Sequence, residues 1–140
     1  LEHLRGSVKG LELVVFGQLE PKESRDFGCP VHYVGHLHDD LSLRLLYSAA
    51  SVFVLPSRQD NLPLTCMEAM SCGTPVVGFR AAGQASVFRH KEHGYQATPF
   101  SVSDMANGVE WIISEKRRGR LWQAECREFA LKEYLLFQAM

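Results

Sequence analysis

The 140-residue sequence predicts an α/β layer structure on a mostly parallel sheet, three layers deep with helices on both faces. Short apolar runs recur along the chain, most of them closed by a glycine or proline, and stretches of helical period separate them. The runs lack strict alternation, which suits strands covered on both sides. With 46% of residues hydrophobic and 22% charged, the chain also has material for a core.

Taken in order, Leu1, Leu4 and Val8 share one helical stripe, so the chain reads as starting mid-helix and as a piece of something longer. Residues 11–16 form a first apolar run ending at Gly17, and residues 31–34 a second ending at Gly35. Asp39 or Asp40 suits a helix N-cap, with Leu41, Leu45 and Ala49 on one face of the helix that follows. Residues 51–55 end at Pro56, residues 75–79 are rich in valine, and residues 95–97 make a weaker fifth strand. Ser101 or Ser103 can cap a helix carrying Met105, Val109, Ile112 and Ile113 on one stripe. A last helix spaces Trp122, Cys126, Phe129, Ala130, Tyr134 and Phe137 similarly. One domain spanning residues 1–140, with right-handed crossovers, is the expectation.

A formal charge of −1 argues against a nucleic-acid binder. No apolar run approaches the roughly 18 residues of a membrane span. Cys29, Cys66, Cys72 and Cys126 form no C-x-x-C pair and read as reduced thiols in a reducing compartment. His36 and His38 form an H-x-H that a metal could use, yet no third ligand lies near in sequence, so no metal is expected. Lys116, Arg117, Arg118 and Arg120 read as a solvated turn, with a membrane-surface or partner patch as the alternative.

Ligands of open parallel sheets bind beyond the carboxyl ends of the strands. Residues 56–79, PSRQDNLPLTCMEAMSCGTPVVGF, carry the strongest signal there, because Glu68 is the only charged residue between Asp60 and Arg80. Pro63 suits the first helical position, Gly73 the stop, and Pro75 the next strand. Such an apolar helix is expected to be largely buried, where a carboxylate is costly unless met by a partner. Two structural roles compete for Glu68: a capping box with Thr65, or an ion pair with Arg58 or Arg80. The functional reading is that Glu68 accepts two adjacent ligand hydroxyls, as a ribose presents them. Leu64 and Thr65 would then offer unpaired N–H groups to an anion.

These residues resemble the C-terminal, nucleotide-sugar-binding domain of family 4 glycosyltransferases, retaining enzymes of the two-domain GT-B fold. The likeness spans LELVVFG, VHYVGHLHDD…LLYSAASVFVLPS, DNLPLTCMEAMSCGTPVVGF, AAG and HGYQA. An acidic residue, seven residues, then a Glu is the family hallmark, matched by Asp60 and Glu68 with Asp replacing the usual first Glu. Ser86 stands where the family often has another Glu.

The resemblance implies a Rossmann-like fold, the C-terminal half of a GT-B enzyme lacking its first strand. It implies that Glu68 binds the donor ribose and that Asp60 contacts the donor sugar near the reacting carbon, as the catalytic candidate. Asn61, Leu62, Pro63, Leu64 and Thr65 would meet sugar and diphosphate, while His36 and Leu37 meet the base. Gly17 and Ser57 would line the same cleft. The reaction implied is hexosyl transfer from a nucleoside diphosphate sugar to an acceptor hydroxyl with retention, without cofactor or metal. Cytoplasmic surface-polysaccharide or glycoconjugate synthesis at the inner membrane face is the expected setting. A missing N-terminal acceptor-binding domain is the expected partner, and the 140 residues alone are expected to bind donor without transferring it. The alternatives are a nucleotide-sugar epimerase of GT-B fold and a non-catalytic nucleotide-binding module. A receiver would need carboxylates clustered near Gly17, where only Glu20 stands, and a dehydrogenase would need G-x-G-x-x-G, which is absent.

Overall fold

A computed structural model describes residues 1–23, 25–58, 64–80 and 87–139, with side chains as far as Glu133. The chain divides into two compact units, Leu1–Leu43 and Arg44–Met140.

The first unit opens with a 3₁₀ turn at Glu2–Leu4 rather than the α-helical stripe expected of Leu1, Leu4 and Val8. Gly6 and Gly10 adopt φ of 80° and 68°, a left-handed backbone that ends any helix there. Strands β1 (Leu13–Phe16) and β2 (Val31–Gly35) pair in parallel, with a register shift between Val15 and Phe16. Gly17 then donates its N–H to the carbonyl of Gly35 at 2.8 Å. Both glycines have positive φ, so the two glycine-closed strand ends are tied to each other. Helix α1 (Asp40–Ala49) starts in this unit, and its cap is Asp39, whose Oδ1 accepts the Ser42 N–H at 2.7 Å. The same hydrogen bond holds the Asp39 carboxyl below its ordinary pKa.

The second unit carries a three-stranded parallel sheet in the order β3 (Phe53–Leu55), β4 (Val76–Phe79), β5 (Gly94–Ala97). Helix α2 (Leu64–Ser71) links β3 to β4, and α3 (Val102–Arg117) and α4 (Trp122–Ala139) follow β5. Ser101 is the cap of α3, its hydroxyl accepting the Asp104 N–H at 3.2 Å. Ala106, Val109 and Ile112 bury one face of α3, while Trp122, Cys126 and Ala130 bury one face of α4. Helix α2 ends in a Schellman motif. Thr74 N–H bonds to Ala69 O at 3.0 Å and Gly73 N–H to Met70 O at 2.9 Å. Gly73 has φ of 84°, and a Cβ there would lie 2.9 Å from the Gln123 Cα, so α4 packs against a position that only glycine fits.

Two burial expectations are corrected. Only β4 is buried throughout, since it lies between β3 and β5; Val14, Val34 and Val54 of the other strands are 43%, 42% and 36% exposed. On α1, the face of Leu41, Leu45 and Ala49 points to solvent, with Leu41 and Leu45 above 60% exposed. The packed stripe instead carries Leu43, Leu46 and Tyr47. Tyr47 decides the rotation of the helix, being 2% exposed with an aromatic ring to bury and polar atoms to satisfy.

Candidate functional site

Parallel pairing sets the carboxyl ends of β3, β4 and β5 along one sheet edge, and the segments after them begin at Pro56, Arg80 and Thr98. Arg80 N–H donates to Ala97 O at 2.7 Å, which joins two of those ends. Helix α2 runs back from this edge, so its first turn, with Leu64 and Thr65, faces it. Leu64 is 62% exposed and Thr65 half-buried. Glu68 stands one turn further on, about 6 Å along the helix.

The expectation of a largely buried α2 is corrected. Cys66, Ala69 and Met70 are buried, but Leu64 and Glu68 are exposed, so the helix has a packed face and an open one. An acidic side chain on the open face needs no buried counterion. Its one side-chain partner among the described residues is Tyr47, whose hydroxyl donates to Glu68 Oε2 at 3.0 Å. Burial, then the Glu68 charge, raise the Tyr47 pKa far above the ordinary phenol value, so the phenol stays a donor. Thr65 lies inside α2 rather than at its cap, which removes the capping box. Neither Arg58 nor Arg80 pairs with Glu68 among the described residues; Arg58 lies over the Phe100 ring at 5.4 Å. Phe100 itself has φ of 63°, in the loop between β5 and α3.

Tyr47 is the residue that sequence reasoning missed. It sits 21 positions before Glu68, and periodicity had favoured the opposite face of its helix. A lone tyrosine on the Leu43–Leu46 stripe was the available signal, since a buried phenol calls for a polar partner.

Of the other nominated residues, Asp60, Asn61, Leu62, Pro63 and Ser86 lie outside the described residues. Ser57 is half-buried just beyond β3. Gly17, His36 and Leu37 belong to the first unit, where His36 and His38 stack with ring centroids 6.3 Å apart. Among the described residues no group of three metal-ligating side chains occurs. A cavity in the first unit, lined by Leu4, Arg5, Phe27 and Cys29, includes none of the nominated residues. No helix of the described residues is long and apolar enough to cross a membrane. Within the basic cluster, Arg120 is turned inward: it lies 3.9 Å over the Trp122 ring and donates to the carbonyls of Lys91 and Glu92. Lys116 reaches Ser51 at 3.2 Å, and Arg118 pairs with Glu115 at 3.5 Å.

A family model described as glycosyl transferases group 1 matches residues 1–115. Sulfoquinovosyl transferase SQD2 of Arabidopsis thaliana is 35% identical over 101 residues, which is 72% of this chain and 19% of that protein. Sucrose-phosphate synthase of Thermosynechococcus elongatus superposes with a TM-score of 0.70 at 27% identity, covering 91% of this chain and 38% of that one. HepE of Anabaena, solved in complex with UDP and glucose, gives a TM-score of 0.65 at 22% identity over 73% of this chain and 27% of that one. The chain spans about a fifth of the length of the curated relatives it matches. Parallel strands with helices and these likenesses make the fold Rossmann-like α/β, of the GT-B type.

Proposed function

From its membership of the glycosyl transferases group 1 family, to which the chain belongs, we propose that it binds the nucleotide-sugar donor of a retaining, family 4 glycosyltransferase. The observation that carries the reading is Glu68. It is an exposed carboxylate one turn into the helix that follows β3, held by a neutral donor and by no countercharge among the described residues. A carboxylate so placed can accept the two hydroxyls of a ribose. The first turn of α2, at Leu64 and Thr65, offers N–H groups and a helix dipole to a diphosphate.

In this reading Asp60 contacts the donor sugar, and Asn61, Leu62 and Pro63 meet sugar and diphosphate. Ser57 belongs to the wall of the same cleft; Gly17 is assigned to donor binding, and His36 and Leu37 to the base. The hexosyl group leaves its diphosphate and is captured by an acceptor hydroxyl on the same face of the ring. The acceptor's proton passes to the oxygen of the departing diphosphate, whose charge is met by helix dipoles and cations rather than by a metal. No cofactor is required by this chemistry. UDP is the first nucleotide to try, because HepE was solved with it. Surface-polysaccharide or glycoconjugate synthesis on the cytoplasmic side of a membrane is the proposed setting.

Calorimetric titration of UDP, GDP and ADP against the protein and its Glu68→Ala variant tests the assignment. Loss of a hydrogen-bonded carboxylate removes about 1.5–3 kcal/mol, roughly a tenfold to hundredfold loss of affinity. Equal binding by both proteins, or no binding of any of the three nucleotides, overturns it.

A further inference from the structure

Tyr47 touches both α2 and the segment just after it. Its hydroxyl donates to Glu68 at 3.0 Å, and its carbonyl accepts the hydroxyl of Thr74, just beyond the Schellman turn that ends the helix. Its ring also packs edge-on against Phe53 of β3, with centroids 5.5 Å apart, in the strand that leads into the Ser57 segment. The residue is 2% exposed, so its position is set by the core and not by solvent. Glu68, by contrast, is exposed and makes no ion pair among the described residues. An exposed glutamate samples several rotamers and loses that freedom when a ligand orders it. A fixed phenol aimed at Oε2 removes part of that freedom before any ligand arrives. A carboxylate can take about four hydrogen bonds, so one from Tyr47 leaves room for two ribose hydroxyls.

Resting on the reading of Glu68 as the ribose ligand, we infer that Tyr47 is a positioning residue, which orients the Glu68 carboxylate for the vicinal hydroxyls of the donor ribose. Tyr47 itself touches no ligand in this account and acts through Glu68. Its effect therefore appears only with ligands that carry those hydroxyls. The phenol does this across the working pH range, since burial and the carboxylate charge keep its proton in place. Binding of a nucleotide without the 2′ and 3′ hydroxyls should be indifferent to Tyr47.

The test compares the intact protein with its Tyr47→Phe and Glu68→Ala variants. Phenylalanine keeps the ring against Phe53 and removes the hydroxyl alone. For each, the affinity of UDP, GDP or ADP, whichever binds, is measured beside that of its 2′,3′-dideoxy counterpart. Tyr47→Phe is expected to weaken the ribonucleotide about tenfold and the dideoxy form not at all. A merely structural role would weaken both alike or neither, and either result overturns the inference while leaving Glu68 its role. If Glu68→Ala binds as well as the unaltered protein, the reading of the site fails and this inference with it. A structure of the unaltered protein with nucleotide bound gives a second readout that does not depend on the variant folding. Glu68 should accept both ribose hydroxyls while still within hydrogen-bond distance of the Tyr47 hydroxyl, and a Glu68 swung away from Tyr47 to reach the ribose overturns the inference.

Discussion

Thr74, 2% exposed at the end of α2, donates its hydroxyl to the backbone carbonyl of Tyr47 on α1. That bond fastens the segment after α2 to the helix whose phenol reaches Glu68, so the carboxylate and its support are tied together within α2 and just beyond its end. A hydroxyl buried there needs a partner, and the Tyr47 carbonyl is it.

Thr74→Val keeps the shape and removes the donor. The Tyr47 carbonyl retains the Ala50 N–H at 3.2 Å, so the loss is one hydrogen bond and not a fully orphaned acceptor. The expected cost is about 1–2 kcal/mol of stability, read from the urea midpoint at constant m-value. No shift in the midpoint would show that the bond contributes nothing.

Arg120 should behave as a structural residue despite standing in a basic run. Its guanidinium stacks on Trp122 at 3.9 Å, pairs with Glu125 at 2.8 Å, and donates to the Lys91 and Glu92 carbonyls. Only a planar fork serves all of these partners at once. Arg120→Lys is expected to lose about 1–2 kcal/mol and to red-shift tryptophan emission, whereas Arg117→Lys, on an exposed position, should change neither. A variant at residue 120 as stable as the unaltered protein would return it to the solvated cluster.

Acid should weaken the contact between the turn before β5 and α4. The His93 ring stacks on Phe129 at 3.7 Å, and its Nδ1 is buried without a hydrogen-bond partner among the described residues. Burial lowers its pKa below 6.5; Glu92 and Glu125 oppose that effect, and Arg89 and Arg120 reinforce it. The unfolded chain therefore takes the proton first. Stability should be full above about pH 6.5 and fall as pH drops through that value, levelling below the folded pKa. His90, whose pKa burial also lowers, adds to the same fall. Urea unfolding at pH 7.5 and 5.5 measures it, and His93→Phe should shrink the difference. An undiminished difference in the variant would assign the pH dependence elsewhere.

Much of the architecture was legible in residue order. Glycines and prolines punctuate the apolar runs, and each of the five runs became a parallel strand within two residues of its expected bounds. Asp39, Ser101 and Gly73 sat at helix ends because caps are local chemistry, read within four or five residues. Which face of α1 packs was not local. Both stripes of that helix are apolar, and the choice fell to Tyr47, whose partners Phe53, Glu68 and Thr74 come later in the chain.

The abrupt hydrophobic start at Leu1 read as helix from spacing alone, yet two glycines with positive φ broke it, and spacing carries no backbone angle. Likewise the sequence by itself singled out Glu68, because one charge in an apolar stretch is visible without coordinates. The resemblance to glycosyltransferases also rested on patterns of local order, DNLPLTCMEAMSCGTPVVGF above all, and the match of residues 1–115 to the group 1 family bears out that coarser kinship. Only the tertiary structure decided that Glu68 is open rather than buried, and that a phenol rather than a cation meets it. Exposure and partnership depend on which surfaces meet across the fold, and residues 21 positions apart meet only when β3, the strand between the two helices, has packed.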